Sequence, residues 1–388
     1  MPLIRSLAPR DSAEAHRPST TLELLFDLVS VIAIASVTAG LHHAIADGHG
    51  IEALPRFIFL FLAIWWAWIN FTWFASAFDN DDALYRILVL VIMGGALLFA
   101  GGAGRIFETL DFGYGLHGWI IMRMGMIALW LRAAAGSADH RVTALRYAAG
   151  IFLAQVCWTV LYYSTEPAST AFFIGGALCF FVEWAVPPIA ERANVTPFHR
   201  HHIMERYGLL MIISLGEIML SIAGGFGLLY GEGADGAVVL TSASALVIVY
   251  AIWWLYFCEP DHLANTEFLT VFKWGYGHVF IFGATAATGA AIGAEIDLAA
   301  HHAHAGRDAI APFLGAALAL VYAALWIVRD RDLPLPPRRM LALPAMAGVM
   351  LAAGLAGAPA WVFAMLSVLA VLWRAPETSS THPRRHRT

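Results

Sequence analysis

Residues 21–42 read TLELLFDLVSVIAIASVTAGLH. A helix needs about 20 mostly apolar residues to cross roughly 30 Å of hydrocarbon, and this run meets that length despite Glu23 and Asp27. It is longer than the 7–15 residues of a signal-peptide core and lacks a small-x-small cleavage site. It therefore reads as a retained first membrane span. The same ruler marks 56–78, 83–104, 116–134, 144–163 and 168–190, then 203–226, 237–259, 268–292, 309–328, 340–355 and 357–374. The expectation is an all-α polytopic transmembrane bundle of about twelve spans. Only Gly357, Ala358 and Pro359 mark the turn between the last two, which makes that pair the least regular.

Composition agrees. The chain is 60% hydrophobic and 13% charged, where a soluble domain carries about 25% charge. A core of this size cannot hide so many apolar side chains, so the lipid bilayer is the partner that composition demands. The three cysteines (Cys157, Cys179 and Cys258) have no metal or disulfide spacing and read as buried thiols.

Charge placement sets an orientation. With the N-terminus inside, only Arg56, Arg105 and Arg307 face outward and Arg123 falls within a span; every other basic residue lies at the cytoplasmic side. That is the positive-inside bias, and it predicts a bacterial inner membrane protein with both termini in the cytoplasm. An internal repeat is also expected. Trp65-Trp66 recurs as Trp253-Trp254, and at that offset Asp79 meets Glu267, Gly95 meets Gly283 and Gly101 meets Gly289. The expected organisation is a cytoplasmic segment 1–20, a six-span half 21–190, a cytoplasmic linker 191–202, a second half 203–375 and a basic tail 376–388. Two halves of like orientation are a transporter pattern.

Ionisable groups inside spans are expensive and are the first functional candidates. Glu23 and Asp27 are four residues apart, on one helical face that continues through Ser30, Ile34 and Thr38. The seventh span opens with Glu205 and carries Glu217 deeper. Asn70 lies in the second span, which ends at Asp79, and His278 lies in the ninth as a candidate proton relay. These seven are the ion- or substrate-binding candidates. Arg123 and Glu183 are expected to pair as a structural clamp, because an unpaired charge in lipid is intolerable. The tryptophans at 65, 66, 68 and 73 read as lipid-facing or packing aromatics, and His199, His201 and His202 as linker residues near anionic headgroups. His301, His302 and His304 lack a completing ligand for a metal. No phosphate-cradling loop, metalloprotease motif or nucleophile elbow is present. Neither an enzyme, a cofactor, a metal nor a nucleic-acid partner is expected.

Several tracts, taken in order, resemble one family. Thr21-Leu22-Glu23-Leu24-Leu25-Phe26-Asp27-Leu28-Val29, Trp65-Trp66-Ala67-Trp68-Ile69-Asn70, Glu205-Arg206-Tyr207-Gly208 with Ser214-Leu215-Gly216-Glu217, and Trp253-Trp254-Leu255-Tyr256-Phe257 are similar to the blocks of the bacterial low temperature requirement protein A family. The likeness covers roughly residues 20–375. Ser30 departs from it, standing where that family has a bulky aromatic, which implies a more polar environment for Asp27. The resemblance implies a polytopic membrane protein and brings no substrate with it. The opening tract is also similar to six-span-repeat potassium and proton channels, which carry Phe-Ser-Asp where this chain has Leu25-Phe26-Asp27. The residues favour a cation- or proton-coupled secondary transporter moving a small ion or molecule. A cation channel, with Ile34 as an apolar constriction, and a non-transporting scaffold or sensor are the alternatives.

Overall fold

The computed structural model describes residues 4–11, 14, 17–167, 169–228, 236–259, 263 and 267–375. The basic tail 376–388 lies outside the described residues. The first helix, α1 (Thr21–Ala46), starts with a reciprocal cap. Thr20 Oγ1 accepts the Glu23 N–H at 3.2 Å, and the Glu23 carboxylate accepts the Thr20 N–H at 2.8 Å. Two of the first-turn donors that have no partner within the helix are thereby satisfied. The chain continues through α2 (Gly50–Phe78), α3 (Ala83–Gly101), α4 (Ala103–Thr109), α5 (Gly113–Gly136), α6 (Arg141–Ser164) and α7 (Thr170–Ala190). The second half holds α8 (Arg200–Gly227), α9 (Gly236–Phe257), α10 (Phe268–Ala299), α11 (Arg307–Val328), α12 (Pro337–Met340), α13 (Ala342–Leu355) and α14 (Ala360–Arg374).

Among the described residues, eleven helical stretches are long and apolar enough to cross a bilayer, with α3 and α4 counted as one span and α12 and α13 as another. The twelfth, α14, has 15 residues, or roughly 22 Å at about 1.5 Å per residue, short of a full hydrocarbon thickness. The turn before it uses Gly357 at φ +69°, a backbone region that favours glycine. Charged hydrogen bonds tie its end to the bundle. Arg374 donates to Asp330 at 2.6 Å and to Glu259 at 3.2 Å, and Arg339 donates to Glu259 at 2.7 Å.

Helix α1 is the hub: α2, α3, α8 and α10 all pack on it. The surrounding helices leave α2 and α10 the most enclosed, with 72% and 78% of their apolar windows buried, against 33% for α7. The polarity of α1 is inverted relative to a soluble helix. Leu24, Leu28 and Ile32 face outward, while Glu23, Asp27, Ser30 and Thr38 face inward. Lipid solvates the apolar face, so the polar groups must find partners inside.

The packing of the first six and last six spans matches in one stretch and departs elsewhere, since α9 packs on α14 while α2 makes no comparable contact with α7. The third span packs on the first and fourth, and the ninth on the seventh and tenth. The residues that marked the repeat nevertheless occupy unlike places. Trp65 and Trp66 are buried, whereas Trp253 and Trp254 are 44% and 53% exposed. Gly95 presses on Gly118 of α5, whereas Gly283 meets Phe61 of α2.

Candidate functional site

Two carboxylates enter the bundle on α1 and one guanidinium enters on α8. Arg206 Nε donates to Asp27 Oδ2 at 3.0 Å, its Nη2 to Asp27 Oδ1 at 2.7 Å, and its Nη1 to Glu23 Oε1 at 3.0 Å. All three side chains are almost wholly buried. The planar guanidinium suits this task because it can fork to one acid and still reach a second. Trp68 Nε1 donates to Asp27 Oδ1 at 2.7 Å. The ring nitrogen His202 Nε2 lies 3.0 Å from Glu23 Oε1, one helical turn before Arg206 on the same face of α8.

The N-terminal segment closes the network. Arg17 is buried and donates to the main-chain carbonyls of Ser76 and Ala75 at the end of α2, and its Nη2 lies 4.0 Å from Glu23. Glu23 and Asp27 are therefore balanced by Arg206 and Arg17. Buried polar groups at this end, among them Arg17 Nε, His202 Nδ1 and the Tyr85 hydroxyl, have no protein partner among the described residues.

Asp79, just past α2, is a third acid beside this network, with Arg10 Nη1 3.6 Å from its Oδ2. Burial first, and the Glu23 charge second, push its carboxyl up to about 6, against the pull of Arg17. An unfolded aspartate ionises near 3.8. Between those values the unfolded chain has released a proton that the folded chain retains, so stability falls as pH rises through this window and stays lower above it. Two pH units correspond to at most about 3 kcal/mol. Asp79→Asn preserves an acceptor for the Asp81 N–H at 3.0 Å. The variant should match the wild type near pH 4 and melt higher above pH 7. Thermal unfolding at pH 4, 6 and 8 checks this; an offset that does not change with pH contradicts it.

The other candidates are scattered. Glu205 is exposed and accepts only the Ser19 N–H at 3.3 Å, so the helix face of α8 that meets α1 carries Arg206 instead. Glu217 is half-buried towards the opposite end of α8, near His42 of α1. There His42 Nε2 also lies 2.7 Å from Asp297 Oδ2. Asn70 donates to the Trp66 carbonyl at 2.7 Å and lines a separate cavity. His278 is buried, with Nδ1 2.7 Å from the Trp274 carbonyl and its ring against Tyr207 and Trp274. Arg123 Nη2 lies 3.2 Å from Glu183 Oε2, with its guanidinium 4.1 Å over Trp119 and Trp66 Nε1 donating to the same carboxylate oxygen at 2.8 Å. Ser30 does not reach Asp27; its hydroxyl donates to the Phe26 carbonyl at 2.9 Å.

Sequence reasoning missed Arg206, His202, Arg17 and Trp68. The signal was charge balance, since two carboxylates on the inner face of a span require a buried cation nearby. Arg206 is the basic residue at the opening of the other acidic span. No group of three or more potential metal-ligating side chains occurs among the described residues.

The chain matches the family described as "Bacterial low temperature requirement A protein (LtrA)" over residues 18–375. It is also similar to an uncharacterized protein of Rhizobium meliloti (strain 1021), 23% identical over 329 residues, covering 81% of this chain and 78% of that one. No solved structure matches it. The family match takes in every described helix of the bundle and the buried network apart from Arg17, and this membrane protein belongs to the bacterial low temperature requirement A family.

Proposed function

We propose that the chain is a proton-coupled secondary transporter of the bacterial inner membrane, not an enzyme, with both termini in the cytoplasm and α1 and α8 carrying the coupling site. The observation that carries this reading is the sharing of one guanidinium between two buried carboxylates across two separate helices. Protonating Glu23 or Asp27 would loosen that link, because a neutral acid holds the guanidinium less strongly than a carboxylate does. A proton could thus shift α8 relative to α1, which is what alternating access between two halves requires. Two further features agree: the polar groups left without protein partners beside Glu23, and the His42, Glu217 and Asp297 groups at the opposite end of α1, α8 and α10.

Proton, sodium and potassium flux in proteoliposomes tests it, with Asp27→Asn and Glu217→Gln beside the wild type. The expected result is saturable wild-type flux driven by a pH gradient and lost in Asp27→Asn. Unitary currents in a planar bilayer would favour the channel reading instead. Absence of flux under every gradient, with all three proteins folded, would leave a scaffold or sensor.

A further inference from the structure

A second polar feature shares no lining residue with the coupling network. A cavity of about 220 Å³ sits among α2, α5, α6, α7, α10 and the linker after α7, room for far more than one water. Its walls are largely aromatic, chiefly Trp66, Trp73, Trp130, Tyr147, Phe272 and Tyr276. Two pairs of these rings stack on each other, Trp130 on Tyr147 with centroids 4.0 Å apart and Phe272 on Tyr276 at 3.9 Å, which fixes their orientation.

One carboxylate completes the lining. Glu191 accepts the Tyr147 hydroxyl at 2.7 Å, and the Thr196 N–H and hydroxyl at 2.7 and 2.9 Å. These donors are neutral, and no described Lys, Arg or His forms an ion pair with Glu191. Neither Lys nor Arg lines the cavity. Asn70 adds an amide whose carbonyl oxygen has no protein partner among the described residues.

We infer that this cavity binds a small organic cation of the alkylammonium class. A fixed negative charge within an aromatic box has the complement of such a ligand, since ring faces attract a cation that is weakly hydrated. A bare metal ion fits poorly, because one carboxylate and one amide supply too few oxygen ligands. An acyl chain fits the walls but leaves Glu191 without a counter-charge. The inference stands apart from the transporter reading, because occupancy of this cavity is measured without any flux. Binding with no transport would overturn only the transporter reading.

The probe is choline, titrated calorimetrically into the full-length protein in nanodiscs. Its neutral isostere, 3,3-dimethylbutan-1-ol, serves as the control of shape. Saturable choline binding, at least about tenfold tighter than the isostere, is expected from the charge and the ring faces together. Glu191→Gln should weaken choline about tenfold and leave the isostere unchanged. Phe272→Leu, which removes one ring from a half-buried position, should weaken choline severalfold and keeps the test sound if Glu191→Gln disturbs the linker. No choline binding at millimolar concentration overturns the inference. So does equal affinity for the two probes, or choline binding indifferent to both substitutions.

Discussion

Arg206→Met is expected to be the most damaging single substitution at the buried network. It removes the guanidinium that donates to both Asp27 and Glu23 and leaves two carboxylates in a region closed to water. Breaking one side of a buried ion pair costs about 3–5 kcal/mol, because the remaining charge has no compensation. Arg17, 4.0 Å from Glu23 and already engaged with main-chain carbonyls, cannot take over. Arg206→Lys should fall between, since an ammonium cannot fork to Asp27 and reach Glu23 together. The triple variant Glu23→Gln, Asp27→Asn, Arg206→Met removes every charge at once and should recover most of the lost stability. Unfolding of the four proteins in one detergent checks the order. A wild-type melting profile for Arg206→Met would mean that the acids are not ionised partners of the arginine. The triple variant also separates stability from function: folded, it should carry no proton-driven flux, and retained flux would remove the coupling role from this site.

The helices were legible because bilayer thickness imposes one length on them, and lipid imposes one composition. That ruler found each span, though α2 starts six residues earlier and α10 ends seven later than it placed them, and it fell short at α14, where ion pairs from Arg374 and Arg339 hold a helix too brief to be secured by length. The inner face of α1 was also legible, since residues 23 and 27 share a face by helical geometry alone. Partners across helices were not. Glu205 and Arg206 differ by one position, roughly 100° of rotation, and that rotation decides which one enters the core. Tryptophan pairs show the same limit. In a membrane the lipid face and the protein interior are equally apolar, so Trp65-Trp66 and Trp253-Trp254 look alike in sequence while one pair is buried and the other faces out. The aromatic cavity was hidden for the same reason, its walls being drawn from five helices and a linker.

Adjacent glycines on α3 should respond in opposite ways to the same methyl group. A Cβ on Gly95 would lie 2.7 Å from the Gly118 carbonyl oxygen and 2.8 Å from the Met122 nitrogen, whereas one on Gly94 meets nothing within 4 Å. Backbone atoms cannot rotate aside, so Gly95→Ala has to push α3 and α5 apart along their shared length. Overpacking of this kind costs about 1–3 kcal/mol, and the weaker dispersion attraction across the widened gap adds to it. Gly94→Ala should be neutral or stabilising by up to about 1 kcal/mol, from helix propensity. Gly118→Ala, whose Cβ would meet the Gly95 carbonyl at 2.6 Å, should resemble Gly95→Ala. The double variant should cost less than the two singles together, because helices already separated accommodate the second methyl. Apparent melting temperatures of the four variants check this pattern, and equal values for Gly94→Ala and Gly95→Ala would contradict the close approach. The consequence reaches the buried network as well. At the end of α3 nearest that network, Arg132 of α5 donates to Asp82 at 2.7 Å, and the next turn carries Tyr85. Widening the crossing at Gly95 while that pair holds would tilt α3 about its end. Tyr85 would then move relative to Glu23, and a proton-driven flux that depends on the network should weaken in Gly95→Ala but not in Gly94→Ala.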